Sequence, residues 1–313
     1  MAAKQPGIVI IGGGNMGGDI ATIFAAGNWA VHVMSPSQKT RDALPGRMQA
    51  GLEKLGADAG LLKNLKSYDK LESIAWADID LVIEAATENL DLKRQIFSQL
   101  ETLARPEIPL ASNTSNFQIG EIGKHLKTRS RVAGVHYFMP AHLVPLVEII
   151  KADFTDVKVC DWLEENQRDL GKMPVRVNKD IPGFIGNRLQ HAMMREALYL
   201  ISDGVVSPEG VDAAVRYGFG FRFLACGPMM QKEMSGWDTN YYAATSLYPD
   251  LHADKAAAPV VKAMIDKGHL GMKTKQGMWA WDDEGVRKEK GRIEKVLQQA
   301  LEILNADMKS QRK

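Results

Sequence analysis

A glycine-rich turn near the start of this 313-residue chain constrains its fold more than any other feature. The apolar run IVII at residues 8–11 leads directly into GGGNMG at residues 12–17, which has the GxGxxG spacing. Gly12 permits a tight turn, Gly14 lets the backbone approach a ligand, and Gly17 allows a helix to pack closely on the preceding strand. A strand, a turn and a helix in this order predict the first unit of a doubly wound α/β sheet.

The same turn predicts the kind of ligand. The helical pattern from Met16 to Ala26 directs its N-terminus toward the ligand that the turn would hold. A helix N-terminus attracts negative charge, so the pyrophosphate of a dinucleotide fits there. A glycine-rich turn without a ligand is the alternative reading.

The residues after the second predicted strand bear on the choice of dinucleotide. An acid usually stands there to bind the ribose of NAD, but this strand ends Val31-His32-Val33-Met34 and contains none. The following residues offer hydroxyl groups and cations that suit the 2′-phosphate of NADP. The sequence therefore predicts NADP(H) as the preferred cofactor, with NAD(H) as the alternative, on four residues: Ser35, Ser37, Lys39 and Arg41.

Short apolar runs alternate with helical patterns over the first half of the chain, which predicts a buried parallel sheet with crossover helices. The predicted strands are 8–11, 30–34, 81–85, 108–112, 132–138 and 174–177. After Asp180, the Ile181-Pro182-Gly183 stretch interrupts the chain, and helical patterns follow at 184–202, 209–216 and 291–306. We expect a Rossmann-type domain over residues 1–180 and an all-helical domain over residues 181–313.

Composition excludes several classes of protein. With 39 Lys and Arg against 38 Asp and Glu, the formal charge is +1, so no overall field recruits nucleic acid or an anionic membrane. No run is apolar and long enough to span a bilayer, and no signal peptide is recognisable. Cys160 and Cys226 lack the spacing of a zinc site or a disulfide framework, so we predict no metal and a reducing, cytoplasmic location.

A histidine and a glutamate in apolar runs are candidates for acid–base chemistry. Hydride transfer from an alcohol needs a base for the hydroxyl proton, and histidine suits that task. His136 lies late in the strand-like run 132–138, and Glu148 lies in the apolar, strand-like run 146–150. A buried carboxylate needs a partner, and an imidazole would satisfy it while its own tautomer is fixed. Either residue could instead be purely structural.

Together, these stretches resemble the L-3-hydroxyacyl-CoA dehydrogenase superfamily, and more closely its L-gulonate dehydrogenase (lambda-crystallin) and carnitine dehydrogenase branch. The matching stretches are IGGGNMG at 11–17, DLVIEAATENL at 80–90, ASNTSNFQI at 111–119, GVHYFMPAHLVPLVEII at 134–150 and DIPGFIGNR at 180–188. The resemblance covers nearly the whole chain and implies an NAD(P)-dependent dehydrogenase acting on a CH–OH group.

The resemblance also implies residue roles. His136 is the acid/base and Glu148 its partner, while Ser115 and Asn187 hydrogen-bond the reacting oxygen. The residues implied at the cofactor, besides those named above for the 2′-phosphate, are Gly12, Gly14, Asn15, Met16, Gly17, Glu88, Lys93 and Asn113. On the residues alone, Ser115 and Asn187 could equally be helix caps, and Glu88 and Lys93 read as helix-terminal charges.

Two departures from the acyl-CoA enzymes shift the expected substrate. Met139 stands where the family commonly has asparagine, and the segment between Met34 and Glu84 is shorter than the helical arm that holds the CoA tail. Arg222, in GFGFR at 218–222, matches a basic residue of the gulonate and carnitine enzymes and could bind a substrate carboxylate. We therefore expect a small 3-hydroxy or 3-keto acid between the domains.

Three alternatives stay open at this point. The first is an NAD-dependent 3-hydroxyacyl-CoA dehydrogenase, and the second is a non-catalytic, crystallin-like dinucleotide-binding protein. The third, an enzyme of the 3-hydroxyisobutyrate type, is disfavoured because GFIGNR at 183–188 lacks that family's lysine. The resemblance further implies a homodimer formed through the helical domain.

Overall fold

The computed structural model describes residues 4–311. Contacts divide the chain into two compact units, one ending at Asn187 and one beginning at Arg188. The domain boundary that the sequence predicts, after Asp180, stays a prediction.

An eight-stranded sheet forms the centre of the first unit. Its strands are β1 Gly7–Ile11, β2 Ala30–Met34, β3 Leu65–Tyr68, β4 Leu81–Glu84, β5 Leu110–Ser112, β6 Val132–Tyr137, β7 Leu146–Ile150 and β8 Met173–Val177. They lie in the order β3-β2-β1-β4-β5-β6-β7-β8, and all neighbours are parallel except β6 and β7. The Rossmann-type fold is confirmed.

Helices cover both faces of this sheet. They are α1 Asn15–Ala26, α2 Gln38–Lys54, α3 Leu90–Leu103, α4 Ile119–Gly123 and α5 Val157–Asp169. One apolar cluster joins Ile8 and Ile10 of β1 to α1, α2 and α5, while Val9 and Ile11 contribute to a second cluster with α3 and α4. The near-continuous apolar strands are therefore buried on both sides, as expected for parallel strands.

The second unit is helical, as predicted. Its helices are α6 Gly186–Ser202, which starts in the first unit, α7 Pro208–Ala214, α8 Gly220–Arg222, α9 Pro228–Ser235, α10 Trp237–Leu247, α11 Pro259–Asp266 and α12 Asp283–Gln311. The helix predicted from Phe184 begins two residues later because Gly183 and Phe184 have left-handed φ angles of 76° and 48°. Over residues 4–311, no helix is long and apolar enough to cross a membrane.

Candidate active site

The glycine turn leaves open space above the start of α1. Gly12 has φ of 103°, and a side chain there would meet the backbone oxygen of Ala85 at 2.5 Å. A Cβ atom on Gly17 would lie 1.7 Å from the oxygen of Gly12, whereas one on Gly14 would meet nothing within 4 Å. No side chain caps α1, whose first turn includes Asn15 and Met16. Free N–H groups beside open space fit the pyrophosphate of a dinucleotide.

The residues predicted to favour NADP cluster after β2, and most have local partners. Ser35 is buried, and Ser37 caps α2 by accepting the N–H of Thr40 at 3.3 Å. The Arg41 guanidinium donates to the backbone oxygen of Ser35 and to the side chain of Gln38. Lys39 is exposed.

A buried ion pair lies at the end of β4. The ammonium of Lys93 donates to both carboxylate oxygens of Glu84, at 2.8 and 3.0 Å, and both side chains are buried. Glu84 also accepts the hydroxyl of Ser112 at 2.6 Å. Glu84 was not among the residues predicted from the sequence, although an acid that ends an apolar strand at the ligand-binding edge of the sheet is a usable signal.

Glu88 connects this pair to the loop after β5. Its carboxylate lies 3.3 Å from the Lys93 ammonium and accepts the backbone N–H of Ser115 at 2.7 Å. Asn113, in the same loop, accepts the N–H of Tyr137 at 2.9 Å and so fixes the loop to the end of β6. These contacts set the position of Ser115.

His136 and Glu148 face each other across the antiparallel pair β6 and β7. They are register partners, and Nδ1 of His136 lies 2.7 Å from Oε2 of Glu148. The other ring nitrogen, Nε2, lies 3.1 Å from the hydroxyl of Ser115. The structure thus brings three predicted residues into one hydrogen-bonded row.

The second oxygen of Glu148 binds the start of α6. Oε1 accepts the backbone N–H groups of Ile185 at 2.9 Å and Gly186 at 2.8 Å. Burial acts to raise the pKa of Glu148, but the hydrogen bonds from His136 and these two N–H groups outweigh it and hold the pKa below its usual value. An ionised Glu148 accepts a hydrogen bond from Nδ1 of His136, so Nδ1 carries the ring proton. Nε2 then has a free lone pair, which faces the hydroxyl of Ser115. Asn187 follows directly in the first turn of α6.

The loop between β6 and β7 begins beside the imidazole. The Phe138 ring lies 4.6 Å from that of His136, centroid to centroid, and Met139 is 63% exposed and precedes a cis peptide bond to Pro140. Further along, the buried Lys172 ammonium donates to the backbone oxygens of Ala141, His142 and Val144. Lys172 was not among the residues predicted from the sequence.

Arg222 lies in the helical unit, where it lines a cavity of about 830 Å³. With the Gln231 amide turned so that its oxygen faces the guanidinium, that oxygen lies 2.8 to 3.1 Å from all three guanidinium nitrogens. Lys232 and Asn240 line the same cavity. Among residues 4–311, no carboxylate forms an ion pair with Arg222.

Comparison with known proteins assigns the chain to a family. Residues 7–181 match the 3-hydroxyacyl-CoA dehydrogenase NAD binding domain, and residues 183–281 match the C-terminal domain of the same enzymes. This chain belongs to the 3-hydroxyacyl-CoA dehydrogenase family. It is accordingly an NAD-dependent dehydrogenase of the class that acts on a hydroxyl group, which confirms the resemblance and the enzyme class predicted from the sequence.

Individual relatives within this family carry different substrate names. The chain is 30% identical to 5-formyl-3-hydroxy-2-methylpyridine 4-carboxylate 5-dehydrogenase of Mesorhizobium japonicum, over 90% of this chain and 92% of that protein. It is 32% identical to L-carnitine dehydrogenase of Nocardiopsis dassonvillei, over 73% of this chain and 70% of that protein. A crystal structure of the pyridine carboxylate enzyme, described as an NAD⁺ dependent dismutase, superposes with a TM-score of 0.88 at 29% identity, over 96% of this chain and 98% of that one.

These comparisons bear on the cofactor as well. The matched domain and the pyridine carboxylate enzyme both support NAD(H). They give no support to the preference for NADP(H) predicted from the residues that follow β2.

Proposed function

We propose that this dehydrogenase interconverts a small 3-hydroxy acid and the matching 3-keto acid, as the free acid and not as a CoA thioester. The row Glu148, His136 and Ser115 carries the proposal, with 2.7 Å and 3.1 Å between successive polar atoms. When bound, the nicotinamide accepts the hydride from the alcohol carbon or returns it to the ketone. The protein has to supply the proton transfer and hold the reacting oxygen.

His136 performs the proton transfer in this proposal. Glu148 holds the proton of the imidazole on Nδ1, so Nε2 accepts the hydroxyl proton during oxidation and donates it during reduction. The hydroxyl of Ser115, 3.1 Å from Nε2, and the amide of Asn187 then hydrogen-bond the reacting oxygen. Burial of both His136 and Glu148 keeps water from competing for this hydrogen bond.

Arg222 supports an acidic substrate. Its guanidinium lies against the neutral Gln231 amide, and within the described part of the chain no carboxylate compensates its positive charge. A guanidinium binds a carboxylate through two parallel charge-assisted hydrogen bonds. The cavity that it lines belongs to the helical unit and has both polar and apolar walls.

Steady-state kinetics with a panel of 3-keto acids and with acetoacetyl-CoA tests this proposal. We expect turnover of a keto acid, and we expect Arg222→Met to raise its KM by about 10- to 100-fold, the effect of one lost charge-assisted interaction. Arg216→Met, which removes a neighbouring arginine that is not part of the cavity lining, should leave KM unchanged. Faster turnover of acetoacetyl-CoA, or an Arg222→Met variant with wild-type KM, would contradict the free-acid substrate.

The cofactor preference and the compartment are finer points. NADP(H) selection by Ser35, Ser37, Lys39 and Arg41 stays a prediction, and Ser35→Asp tests it because an added carboxylate should repel a 2′-phosphate. A cytoplasmic location also stays a prediction.

A homodimer formed through the helical unit is part of the proposal. Large apolar side chains are exposed there, including Tyr217 at 76%, Met234 at 78% and Tyr242 at 72%. Large contiguous apolar patches mark interaction sites, so the concentration of exposed apolar side chains in this unit supports an interaction surface there. Light scattering after gel filtration should give twice the 34.5 kDa chain mass, and a monomer at micromolar concentration would refute the dimer.

A further inference from the structure

The strands β2 and β3 end side by side, and the acid that β2 lacks is present after β3. Met34, the last residue of β2, pairs with Tyr68, the last residue of β3, and the N–H of Ser35 donates to the oxygen of Tyr68 at 2.9 Å. Asp69 is the residue that follows β3 in the chain. Its position places a carboxylate beside the end of β2.

A small cavity lies beside the ends of β2 and β3. It measures about 190 Å³, and its lining residues are Met34, Pro36, Asp69, Lys70, Leu71, Glu72 and Gln99. Met34, Pro36 and Leu71 give it an apolar wall, while the charged side chains come from the residues after β3. A nucleotide base would pack against the apolar side chains, and a ribose would contact the charged ones.

The glycine-rich motif indicates which part of a dinucleotide would reach this cavity. With the pyrophosphate at the start of α1, the adenosine half of the cofactor lies at the carboxyl end of β2. A carboxylate there accepts hydrogen bonds from the ribose hydroxyls and repels a 2′-phosphate. The carboxylate of Asp69 is exposed, and within the described part of the chain no cation forms an ion pair with it.

We propose that Asp69 binds the adenosine ribose hydroxyls of NAD(H) and so determines the cofactor preference of this enzyme, a role that Rossmann-type domains usually give to an acid on β2. The inference rests on dinucleotide binding by the first unit. It opposes the NADP(H) preference predicted from Lys39 and Arg41, because the Arg41 guanidinium already donates to Ser35 and Gln38. Lys70 and Glu72, the other charged residues of the lining, follow Asp69 in the chain and oppose one another in charge.

Fluorescence titration of the full-length enzyme with NADH and with NADPH tests the role of Asp69. We expect wild type to bind NADH more tightly, and Asp69→Asn to raise the NADH Kd by about tenfold while NADPH binding stays equal or tightens. Asp169→Asn, which neutralises an exposed carboxylate outside this lining, should leave the NADH Kd unchanged. Asparagine keeps the shape of this exposed side chain, so the variant is expected to fold, and its melting temperature serves as the check.

The outcomes separate this inference from the proposed function. A wild type that prefers NADPH, or an Asp69→Asn variant with an unaltered ratio of the two Kd values, overturns the role of Asp69. If that variant still reduces keto acids at the wild-type kcat with saturating NADH, the proposed reaction stands without it. Failure of wild type to bind either cofactor overturns both.

Discussion

Exchanging Glu148 for glutamine removes the carboxylate charge while keeping the shape of the side chain. In the wild type, Oε2 faces Nδ1 of His136, and Oε1 accepts the N–H groups of Ile185 and Gly186. Glutamine has a single oxygen, for which two backbone N–H donors compete with one imidazole. The oxygen therefore stays with the backbone, and the amide NH₂ group faces Nδ1.

That orientation forces the wrong tautomer on the imidazole. Nδ1 of His136 becomes an acceptor and the ring proton moves to Nε2, the atom 3.1 Å from Ser115. A neutral imidazole with a protonated Nε2 cannot take a proton from an alcohol there. General acid–base catalysis contributes about 10²- to 10⁴-fold, or about 2.7 to 5.4 kcal/mol of barrier, and we expect kcat for alcohol oxidation to fall within this range.

Steady-state oxidation followed by NADH absorbance measures this loss. Glu107→Gln, which neutralises an exposed carboxylate paired with Arg105, is the matched control and should keep the wild-type kcat. Combining His136→Asn with Glu148→Gln should cost little more than the more damaging single change, because the two residues act as a unit. A Glu148→Gln enzyme with kcat close to wild type would refute the reasoning about the tautomer.

Two further predictions concern the scaffold. Gly17→Ala places a Cβ atom 1.7 Å from the oxygen of Gly12, so it should abolish tight NADH binding and lower the melting temperature. The control is Gly46→Ala, whose added Cβ atom meets nothing within 4 Å and should be neutral or stabilising. An unchanged NADH titration curve for Gly17→Ala would count against the close packing of α1 on the turn. Lys172→Met leaves three carbonyls of the 141–144 loop without their donor and should cost about 1 to 3 kcal/mol in urea unfolding. Burial lowers the pKa of Lys172 from 10.5 to about 8, so between these values the unfolded state binds more protons and wild-type stability should rise with pH, a rise that Lys172→Met should lack.

Most of the sheet could be predicted because its strands are apolar on both faces. One strand, β3, was not predicted at all. It is a four-residue edge strand whose central Lys66 and Ser67 are exposed, so it has no apolar run. The direction of β7 was missed for a different reason. Only residues 138–145 connect β6 to β7, and a connection this short without a crossover helix permits only antiparallel neighbours.

Contacts within the candidate site were predictable only where two conspicuous residues shared a register. His136 and Glu148 interrupt apolar strands, and antiparallel pairing places them face to face. Asp69 carries no such signal, because an acid after an unrecognised edge strand reads as part of a loop. The role of Lys172 could not be predicted either, because its partners are backbone oxygens that no sequence pattern marks.

Single-turnover reduction of a 3-keto acid by preformed enzyme–NADH complex, comparing wild type with His136→Asn, tests the central claim most directly. We expect NADH oxidation by wild type and a rate about 10²- to 10⁴-fold lower for His136→Asn at unchanged NADH affinity. Equal rates for the two proteins, or no NADH oxidation by wild type with any free keto acid, would contradict it.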